Sequence, residues 1–197
     1  MRRAVFLDRD GTLNIEKGYI RDISEVELYP GAARSVRLLN DAGILAILAT
    51  NQTGAARGYY TIEHVHGLNG KVQQLLHDGA GARLDGVYYC PHYKDGIVPE
   101  FTRECDCRKP APGMILQAAR DFADIDLAGS YVVGDKATDI TFARNAGCRG
   151  ILVRTGYGEQ VLAGEYQVLE VQPEKVCADI VEAVAYILSQ KQARANA

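Results

Sequence analysis

The stretch Ala4-Val5-Phe6-Leu7-Asp8-Arg9-Asp10-Gly11-Thr12-Leu13 decides the fold of this chain. Four apolar residues lead directly into two carboxylates that one residue separates. This pattern is typical of a buried strand that ends at a binding edge, because ligands of open α/β sheets bind where the strands stop and the loops diverge. If the chain stays extended as far as Asp10, Asp8 and Asp10 point to the same side.

Two neighbouring carboxylates suit the chemistry of phosphoryl transfer. An ionised aspartate can attack phosphorus while a second, protonated aspartate supplies a proton to the leaving oxygen. A divalent cation would relieve the repulsion between them. A solvated strand end with an acidic turn explains Asp-x-Asp-Gly equally well when this stretch is taken alone. The later stretches of the chain favour the phosphoryl-transfer site over the solvated turn.

Composition bounds the class of protein. The 197 residues are 47% hydrophobic and 24% charged, which fits one globular domain, and we expect it at 1–190 with a polar tail at 191–197. The net charge of −3 gives no basic excess for binding nucleic acid. No apolar run approaches the roughly 20 residues that span a bilayer. We therefore expect a cytoplasmic protein that binds neither nucleic acid nor membranes.

The rest of the chain alternates between strand and helix patterns. Further strands are predicted at 44–49, 86–89, 131–134 and 149–153, and helices at 30–43, 61–79, 112–122, 139–146 and 174–190. The polar segment 14–27 predicts either a short flap or a plain connecting loop, and 154–170 predicts a loop. Five strands that alternate with helices predict an α/β fold with a doubly wound, mainly parallel sheet of five or more strands.

Polar residues follow two of these strands at the predicted binding edge. Thr50-Asn51-Gln52-Thr53-Gly54 offers hydroxyl, amide and backbone N–H groups that can hold phosphate oxygens. Arg57 is either a solvated cation or a clamp on a second anionic group. Asp135 ends the fourth strand and could complete an oxygen shell for Mg²⁺ with Asp8. Asp139 would cap the next helix or support the site by a hydrogen bond.

Four soft ligands fall within one short loop: Cys90, His92, Cys105 and Cys107. They match the Cys₃His shell of a structural zinc site, for which the zinc loop would be residues 90–107. The alternative is a set of reduced thiols in a polar loop. Because Arg108-Lys109 follows directly, closure of this loop would fix two cations of the kind that a charged phosphoryl transition state needs.

The ordered set Asp8-x-Asp10-Gly-Thr-Leu, Thr50, Lys109 and Gly134-Asp135-x-x-x-Asp139 resembles the haloacid dehalogenase (HAD) superfamily of phosphatases. The narrower resemblance is to the D-glycero-D-manno-heptose-1,7-bisphosphate 7-phosphatase family, close to the histidinol-phosphatase branch. It rests on Phe6-Leu-Asp-Arg-Asp-Gly-Thr-Leu-Asn14, on the segment 50–58, on the Cys/His loop, on Cys105-Asp-Cys-Arg-Lys-Pro110 and on Val133-Gly-Asp-Lys136. It implies a HAD-like Rossmannoid fold with a minimal cap and the zinc loop.

The resemblance also implies a role for each matching residue. Asp8 would be the nucleophile that forms an aspartyl-phosphate, and Asp10 the acid that protonates the sugar oxygen and then the base that activates water. Thr50 and Lys109 would hold the phosphoryl oxygens, with Mg²⁺ on Asp8, the Asp10 backbone carbonyl and Asp135. Substrate contacts would come from Glu16, Lys17, Gly18, Tyr19, Asn51, Gln52, Thr53, Arg108 and Lys136. Cys90, His92, Cys105 and Cys107 would hold a structural zinc.

The implied function is removal of the 7-phosphate from a heptose bisphosphate, a small phosphorylated metabolite, as a step of lipopolysaccharide precursor synthesis. Separately, we expect the protein to be a monomer. Histidinol phosphate or another small phosphomonoester remains an alternative substrate. A receiver-type signalling domain is a second class, but its acidic residues are adjacent on the first strand and its phosphorylated aspartate lies on a later strand. A zinc-stabilised binding module is a third class, and it would need neither Asp8, Asp10, Lys109 nor Asp135.

Overall fold

The computed structural model describes residues 1–195, with the side chains described as far as Gln190. Its strands are β1 (Ala4–Leu7), β2 (Leu45–Asn51), β3 (Gly86–Cys90), β4 (Tyr131–Gly134), β5 (Arg149–Val153) and β6 (Lys175–Cys177). They form one parallel sheet in the order β3-β2-β1-β4-β5-β6. The strand order reverses between β1 and β4, so the sheet is doubly wound, and the predicted fold class is confirmed.

The helices that connect the strands are α1 (Ala32–Asp41), α2 (Ile62–Ala80), α3 (Gly113–Asp121), α4 (Ala137–Asn145), α5 (Gly158–Ala163) and α6 (Ile180–Ala195). The start of α2 is set by Thr61, whose hydroxyl accepts the backbone N–H of His64. Its end is set by Gly81, which has a left-handed φ of 60°. Within residues 1–195, no helix is both long and apolar enough to span a membrane.

The apolar residues of β1 pack on both faces of the sheet. Val5 and Leu7 contact the core beneath α1, α2 and α6, whereas Ala4 and Phe6 contact the core beneath α3 and α4. This alternation follows from the period of two residues along a strand. It explains why the central strands read as continuous apolar runs, since neither face of β1 meets solvent.

The structure corrects the predicted helix at 174–190. Residues Lys175–Cys177 form β6, which pairs with β5, and the helix begins only at Ile180. Asp179 sets this start, because its carboxylate accepts the N–H groups of Val181 and Glu182 at 2.8 and 3.0 Å. A strand of three residues is too short to show an alternating hydrophobic pattern. The sequence therefore predicts these residues as part of the helix that follows. The helix continues to Ala195, and residues 196–197 of the predicted tail lie outside the described residues.

Two segments without clear sequence signals also take definite forms. The predicted loop at 154–170 contains the short helix α5, so the expectation of a loop throughout was wrong. The segment 14–27 is closed at its base, where Ile15 N donates to Glu27 O and Tyr29 N donates to Leu13 O, both at 2.9 Å. This closure favours the flap over the plain connecting loop.

The cap at Asp179 gives a test of the corrected helix boundary. We expect Asp179→Ala to lower the free energy of unfolding by about 1 kcal/mol, because two N–H groups of α6 lose their acceptor. Thermal or urea unfolding measures the change. Asp78→Ala, which removes an exposed carboxylate from α2, is the control and should leave stability nearly unchanged. An equal effect of the two variants would contradict the boundary.

Candidate active site

The predicted site residues meet at the carboxyl ends of β1, β2 and β4. A cavity of about 310 Å³ opens at this edge of the sheet. Most of the predicted residues line it: Asp8, Asp10, Glu16, Gly18, Tyr19, Thr50, Asn51, Gln52, Thr53, Arg57, Arg108, Lys109 and Lys136. Parallel strands bring these residues together because all their carboxyl ends lie at one edge.

Lys109 is the buried cation at the centre of the site. Its Nζ lies 2.9 Å from Asp8 Oδ1 and 2.6 Å from Asp139 Oδ1, and it donates to the carbonyl of Ala49 at 3.0 Å. Burial by itself would raise the pKa of Asp8, but the ammonium groups of Lys109 and Lys136 outweigh burial and hold that pKa below its usual value. Asp8 is therefore ionised at neutral pH, as a carboxylate nucleophile must be.

The backbone of Lys109 is held by Asn51 at the end of β2. The Asn51 side chain donates to the carbonyl of Lys109 at 3.2 Å and accepts its N–H at 3.0 Å. Asn51 lines the cavity as predicted for a substrate contact, but these two hydrogen bonds engage both ends of its amide. Its observed contacts therefore position Lys109.

Asp135 is suited to a cation. Its side chain is fully buried; Oδ2 accepts the N–H of Tyr157 at 2.8 Å, whereas Oδ1 is buried and has no hydrogen-bond partner. Burial, together with the nearby charges of Asp8 and Asp139 and against the opposing effect of Lys136, raises the pKa of Asp135 to about 7. Carboxylate oxygens of Asp8, Asp135 and Asp139 lie within 4.8 Å of one another. An oxygen-binding divalent cation such as Mg²⁺ fits this donor set.

The backbone around Asp135 leaves no room for larger residues. Gly11 has φ +84° and Gly156 has φ +58°, and an added Cβ at either position would lie 2.2 Å from Asp135 Oδ2. Both loops therefore approach the carboxylate closely only because they carry glycine. This close packing excludes solvent from Asp135 and helps to explain its raised pKa.

Asp139 performs both of the roles that the sequence left open. Its Oδ2 accepts the backbone N–H of Lys136 at 3.0 Å as part of a capping box at the start of α4. Its Oδ1 accepts the hydrogen bond from Lys109 Nζ. Through these two hydrogen bonds Asp139 supports the site by holding Lys109 and the start of α4.

Lys136 forms a second cationic point in the cavity. Its Nζ lies 3.4 Å from Glu16 Oε2 and 3.5 Å from Asp135 Oδ1, and 5.0 Å from the centre of the Tyr157 ring. Burial acts to lower the pKa of Lys136, but the carboxylates of Asp8, Asp135 and Glu16 outweigh it and raise that pKa. The Lys136 ammonium stays charged and faces the same cavity as Lys109.

One predicted substrate contact is not brought to the cavity. Lys17 does not line it, because the Lys17 ammonium donates to the carbonyl of Glu25 at 2.9 Å and lies 3.2 Å from Glu27 Oε2. These contacts hold the far part of the flap together. Its neighbours Glu16, Gly18 and Tyr19 do line the cavity, and Tyr19 OH lies 3.2 Å from Thr53 Oγ1.

The sequence did not indicate five further residues of the cavity lining. Tyr60, Thr138, Tyr157, Tyr166 and Gln167 also line it. Tyr157 and Tyr166 stack with ring centres 4.3 Å apart and an interplanar angle of 15°. Tyr157 and Tyr166 belong to the segment after β5. The one available signal was positional, since the chain leaves β5 at the same edge of the sheet as the other site residues.

The cysteine and histidine side chains form one cluster. Cys107 Sγ lies 3.1 Å from Cys90 Sγ, 3.2 Å from Cys105 Sγ and 3.3 Å from His92 Nδ1. A tetrahedral zinc shell has ligand–ligand edges of about 3.5–3.8 Å, so the cluster needs only a slight expansion to fit. Hydrogen bonding with Cys90, with further contributions from Cys105 and His92, lowers the pKa of Cys107 to about 5. The same hydrogen bond, together with burial, raises the pKa of Cys90, so the metal-free cluster favours one thiolate, at Cys107, and zinc binding would displace the proton of Cys90.

The zinc loop also places two arginines at the cavity. The guanidinium carbons of Arg57 and Arg108 lie 4.1 and 5.2 Å from the centre of the Tyr93 ring. Arg108 also donates to the carbonyl of His92 at 3.1 Å. Tyr93 follows the first half of the cluster directly, so the fold of this loop determines where both cations stand.

Comparison with known proteins agrees with this geometry. Residues 106–183 match the HAD-hydrolase-like family model. The D-glycero-D-manno-heptose-1,7-bisphosphate 7-phosphatase of Thermosynechococcus vestitus is 52% identical over 189 residues, which cover 94% of this chain and 95% of that protein. The chain belongs to the heptose-1,7-bisphosphate 7-phosphatase family. It is a phosphomonoester hydrolase, which confirms the predicted enzyme class over the receiver-type and binding-module alternatives.

Other members of the family support the assignment. The D-glycero-beta-D-manno-heptose-1,7-bisphosphate 7-phosphatase of Escherichia coli K12 is 46% identical over 155 residues, which cover 78% of this chain and 80% of that one. The crystal structure of the D,D-heptose 1,7-bisphosphate phosphatase from B. bronchiseptica, in complex with magnesium and phosphate, aligns with a TM-score of 0.83 and 33% identity. It covers 95% of this chain and 99% of that chain.

The cysteine cluster predicts how zinc affects activity. We expect Cys107→Ala to lose bound zinc and to lower kcat/KM by about tenfold or more, since Arg108 and Lys109 follow the cluster directly. Metal analysis and phosphate release measure the two effects. Cys148→Ala removes a buried cysteine outside the cluster and is the control, which should keep both zinc and activity. Full activity in the zinc-free variant would contradict this role of the loop.

The raised pKa of Asp135 predicts a pH-dependent stability of the metal-free protein. A carboxyl whose pKa is raised to about 7 on folding stabilises the fold below its unfolded pKa, and this stability is lost as the pH rises through 7. We expect Asp135→Asn to remove this loss. Calorimetry of the Mg²⁺-free proteins at about pH 5.5, within the pH range of this loss, and at about pH 8, above that range, measures the difference between them. Added Mg²⁺ should raise the Tm of the wild type and not of the variant, and equal stabilisation of both would move the cation elsewhere.

Proposed function

We propose that this protein is a Mg²⁺-dependent phosphatase that removes the 7-phosphate of D-glycero-D-manno-heptose 1,7-bisphosphate. The observation that carries the proposal is the buried carboxylate of Asp8, which lies 2.9 Å from Lys109 Nζ at the edge of the cavity. The fully buried Asp135 nearby has an oxygen without a hydrogen-bond partner. The names of the relatives indicate the substrate.

The proposed reaction has two steps on Asp8. A carboxylate oxygen of Asp8 attacks phosphorus as the bond to the sugar oxygen breaks, and Asp10 gives its proton to that oxygen. Asp10 then takes a proton from the water that hydrolyses the aspartyl-phosphate. Thr50 and Lys109 hold the phosphoryl oxygens through both steps. Mg²⁺, held by Asp8, Asp135 and the backbone carbonyl of Asp10, would neutralise negative charge on the phosphoryl group.

The charge of the cavity favours a bisphosphate over a monophosphate. In addition to Lys109, the cations Arg57, Arg108 and Lys136 line the cavity. A substrate with a single phosphate engages the catalytic residues and has no anionic group for the other cations. A second phosphate at the opposite end of a sugar would meet them with forked or point-charge contacts. Histidinol phosphate, the alternative substrate, lacks that group.

The cofactors and setting complete the proposal. The four-ligand cluster would hold a structural zinc without an open position for substrate. The partner is a small phosphorylated sugar, and we infer that the enzyme acts in the cytoplasm as a monomer on lipopolysaccharide precursors. Metal analysis and light scattering of the purified protein test the zinc content and the oligomeric state.

The role of Asp8 gives a direct test of the mechanism. We expect Asp8→Asn to reduce phosphate release by about 10³-fold or more while the protein stays folded, because an amide cannot attack phosphorus. Phosphate release in the presence of Mg²⁺ measures the loss, and circular dichroism checks the fold. Asp179→Asn, at a carboxylate that does not line the cavity, is the matched control and should keep turnover. Retained turnover in Asp8→Asn would place the nucleophile elsewhere.

The substrate is tested by comparing heptose 1,7-bisphosphate with histidinol phosphate. We expect kcat/KM to be at least tenfold higher for the bisphosphate, or about 1.4 kcal/mol of transition-state discrimination. Arg57→Ala and Arg108→Ala should reduce this ratio, since they remove cations and leave Asp8 and Lys109 in place. A preference for histidinol phosphate would keep the mechanism and refute the substrate.

A further inference from the structure

Arg9 is a buried cation that the proposed mechanism leaves without a role. It stands between the two catalytic aspartates in sequence, yet its side chain is only 2% exposed and does not line the cavity. A buried guanidinium destabilises a fold unless its charge and its N–H groups are paired. The partners of Arg9 therefore indicate what it does.

The main partner of Arg9 is the carboxylate of Asp10. Arg9 Nε donates to Asp10 Oδ1 at 3.1 Å, and Arg9 Nη2 donates to Asp10 Oδ2 at 2.8 Å. These two parallel hydrogen bonds fix the plane of the carboxylate as well as its position. On its other side, Arg9 Nη1 donates to Asn69 Oδ1 at 3.0 Å, which anchors the guanidinium to α2.

Two amides complete the surroundings of Asp10. Asn14 Nδ2 donates to Asp10 Oδ1 at 3.0 Å, and Gln52 Nε2 donates to Asp10 Oδ2 at 3.0 Å. Each carboxylate oxygen thus accepts two hydrogen bonds, which fills its acceptor capacity. Of the three donor residues, Gln52 lines the cavity, whereas Arg9 and Asn14 do not. A substrate oxygen can therefore take the place of the Gln52 amide at Oδ2 without disturbing the Arg9 contacts.

We propose that Arg9 is a positioning residue that orients Asp10 for proton transfer to the leaving oxygen. This inference rests on the proposed function, in which Asp10 is the acid. The proton moves from Asp10 Oδ2 to the sugar oxygen as the phosphorus–oxygen bond breaks and the bond from Asp8 to phosphorus forms. The carboxylate that remains on Asp10 then accepts the charge-assisted pair of hydrogen bonds from Arg9. Arg9 is thereby complementary to the state that proton transfer produces.

Substrates with different leaving groups distinguish this positioning role of Arg9 from a purely structural one. An alkoxide leaving group such as a sugar oxygen needs a proton, whereas p-nitrophenolate leaves readily without one. Because kcat/KM reports only the steps up to departure of the first product, it isolates the acid role of Asp10 from its later role as a base. A loss that depends on the leaving group therefore reports on the orientation of Asp10.

The test is Arg9→Lys, which keeps the charge but loses the forked contact. We expect kcat/KM to fall by about tenfold or more for heptose 1,7-bisphosphate and by less than about threefold for p-nitrophenyl phosphate. Asn69→Ala is the matched control, because it cuts the link to α2 but leaves the fork on Asp10. It should lower the Tm and leave the ratio of the two substrates unchanged. Equal losses on both substrates for Arg9→Lys would overturn the proposal.

A second pair of variants covers a failure of Arg9→Lys to fold. Arg9→Gln keeps one N–H donor for Asp10 and should show the same dependence on the leaving group. In an Asp10→Asn background either Arg9 substitution should cause no further loss on the sugar substrate, since the residue through which Arg9 acts is already inactive. An additive loss would overturn the proposal.

The same assays distinguish this inference from the proposed function. If the wild type hydrolyses p-nitrophenyl phosphate but not the heptose bisphosphate, the proposed substrate is wrong. Glycerol phosphate, another ester with an alkoxide leaving group, then replaces the sugar in the comparison. A selective loss on glycerol phosphate in Arg9→Lys would still support the role of Arg9, and an unselective loss would refute it.

Discussion

The buried ammonium of Lys109 is the interaction on which the rest of the site depends. It joins Asp8 after β1 to Asp139 in the first turn of α4, at 2.9 and 2.6 Å. Removing a cation and two carboxylates from water is unfavourable unless they are paired with good geometry. Here the pairing also keeps Asp8 ionised and fixes the start of α4. The ammonium of Lys109 that keeps Asp8 ionised therefore also holds β1 and α4 together at the site.

Because Lys109 joins these groups, its backbone must be held in place, and two features of the structure hold it. The cysteine and histidine cluster ends at Cys107, two residues earlier, and Asn51 binds both backbone groups of Lys109 from the end of β2. A long side chain that extended from a free loop would lose conformational entropy on reaching Asp8. Because the backbone of Lys109 is already fixed, most of that cost falls on folding and not on the formation of each enzyme–substrate complex.

The site is also a balance of charges arranged in layers. Lys109 and Lys136 contact the acidic centre of Asp8, Asp135 and Asp139, and Arg9 pairs with the neighbouring Asp10. Lys136 lines the cavity, whereas Arg9 is buried behind Asp10. Asp135 has a buried oxygen without a hydrogen-bond partner, 3.5 Å from Lys136 Nζ, and the proposed divalent cation would complete the balance there. The cationic side chains thus serve three purposes, namely substrate binding, orientation of the carboxylates and stability of the fold.

The sequence by itself determined the parallel sheet, the acidic strand ends and the four-ligand cluster. These features leave local signals, since a buried strand is an apolar run and the polar residues of the cavity follow it directly. Only the tertiary structure decided that Asn51 positions Lys109, that Lys17 turns away from the cavity, that β6 precedes α6 and that Tyr157 and Tyr166 form a wall. It also showed that Arg9 is directed inwards to Asp10. Such contacts join residues that are distant in the chain or depend on which way a side chain turns, and neither leaves a period or a spacing in the sequence.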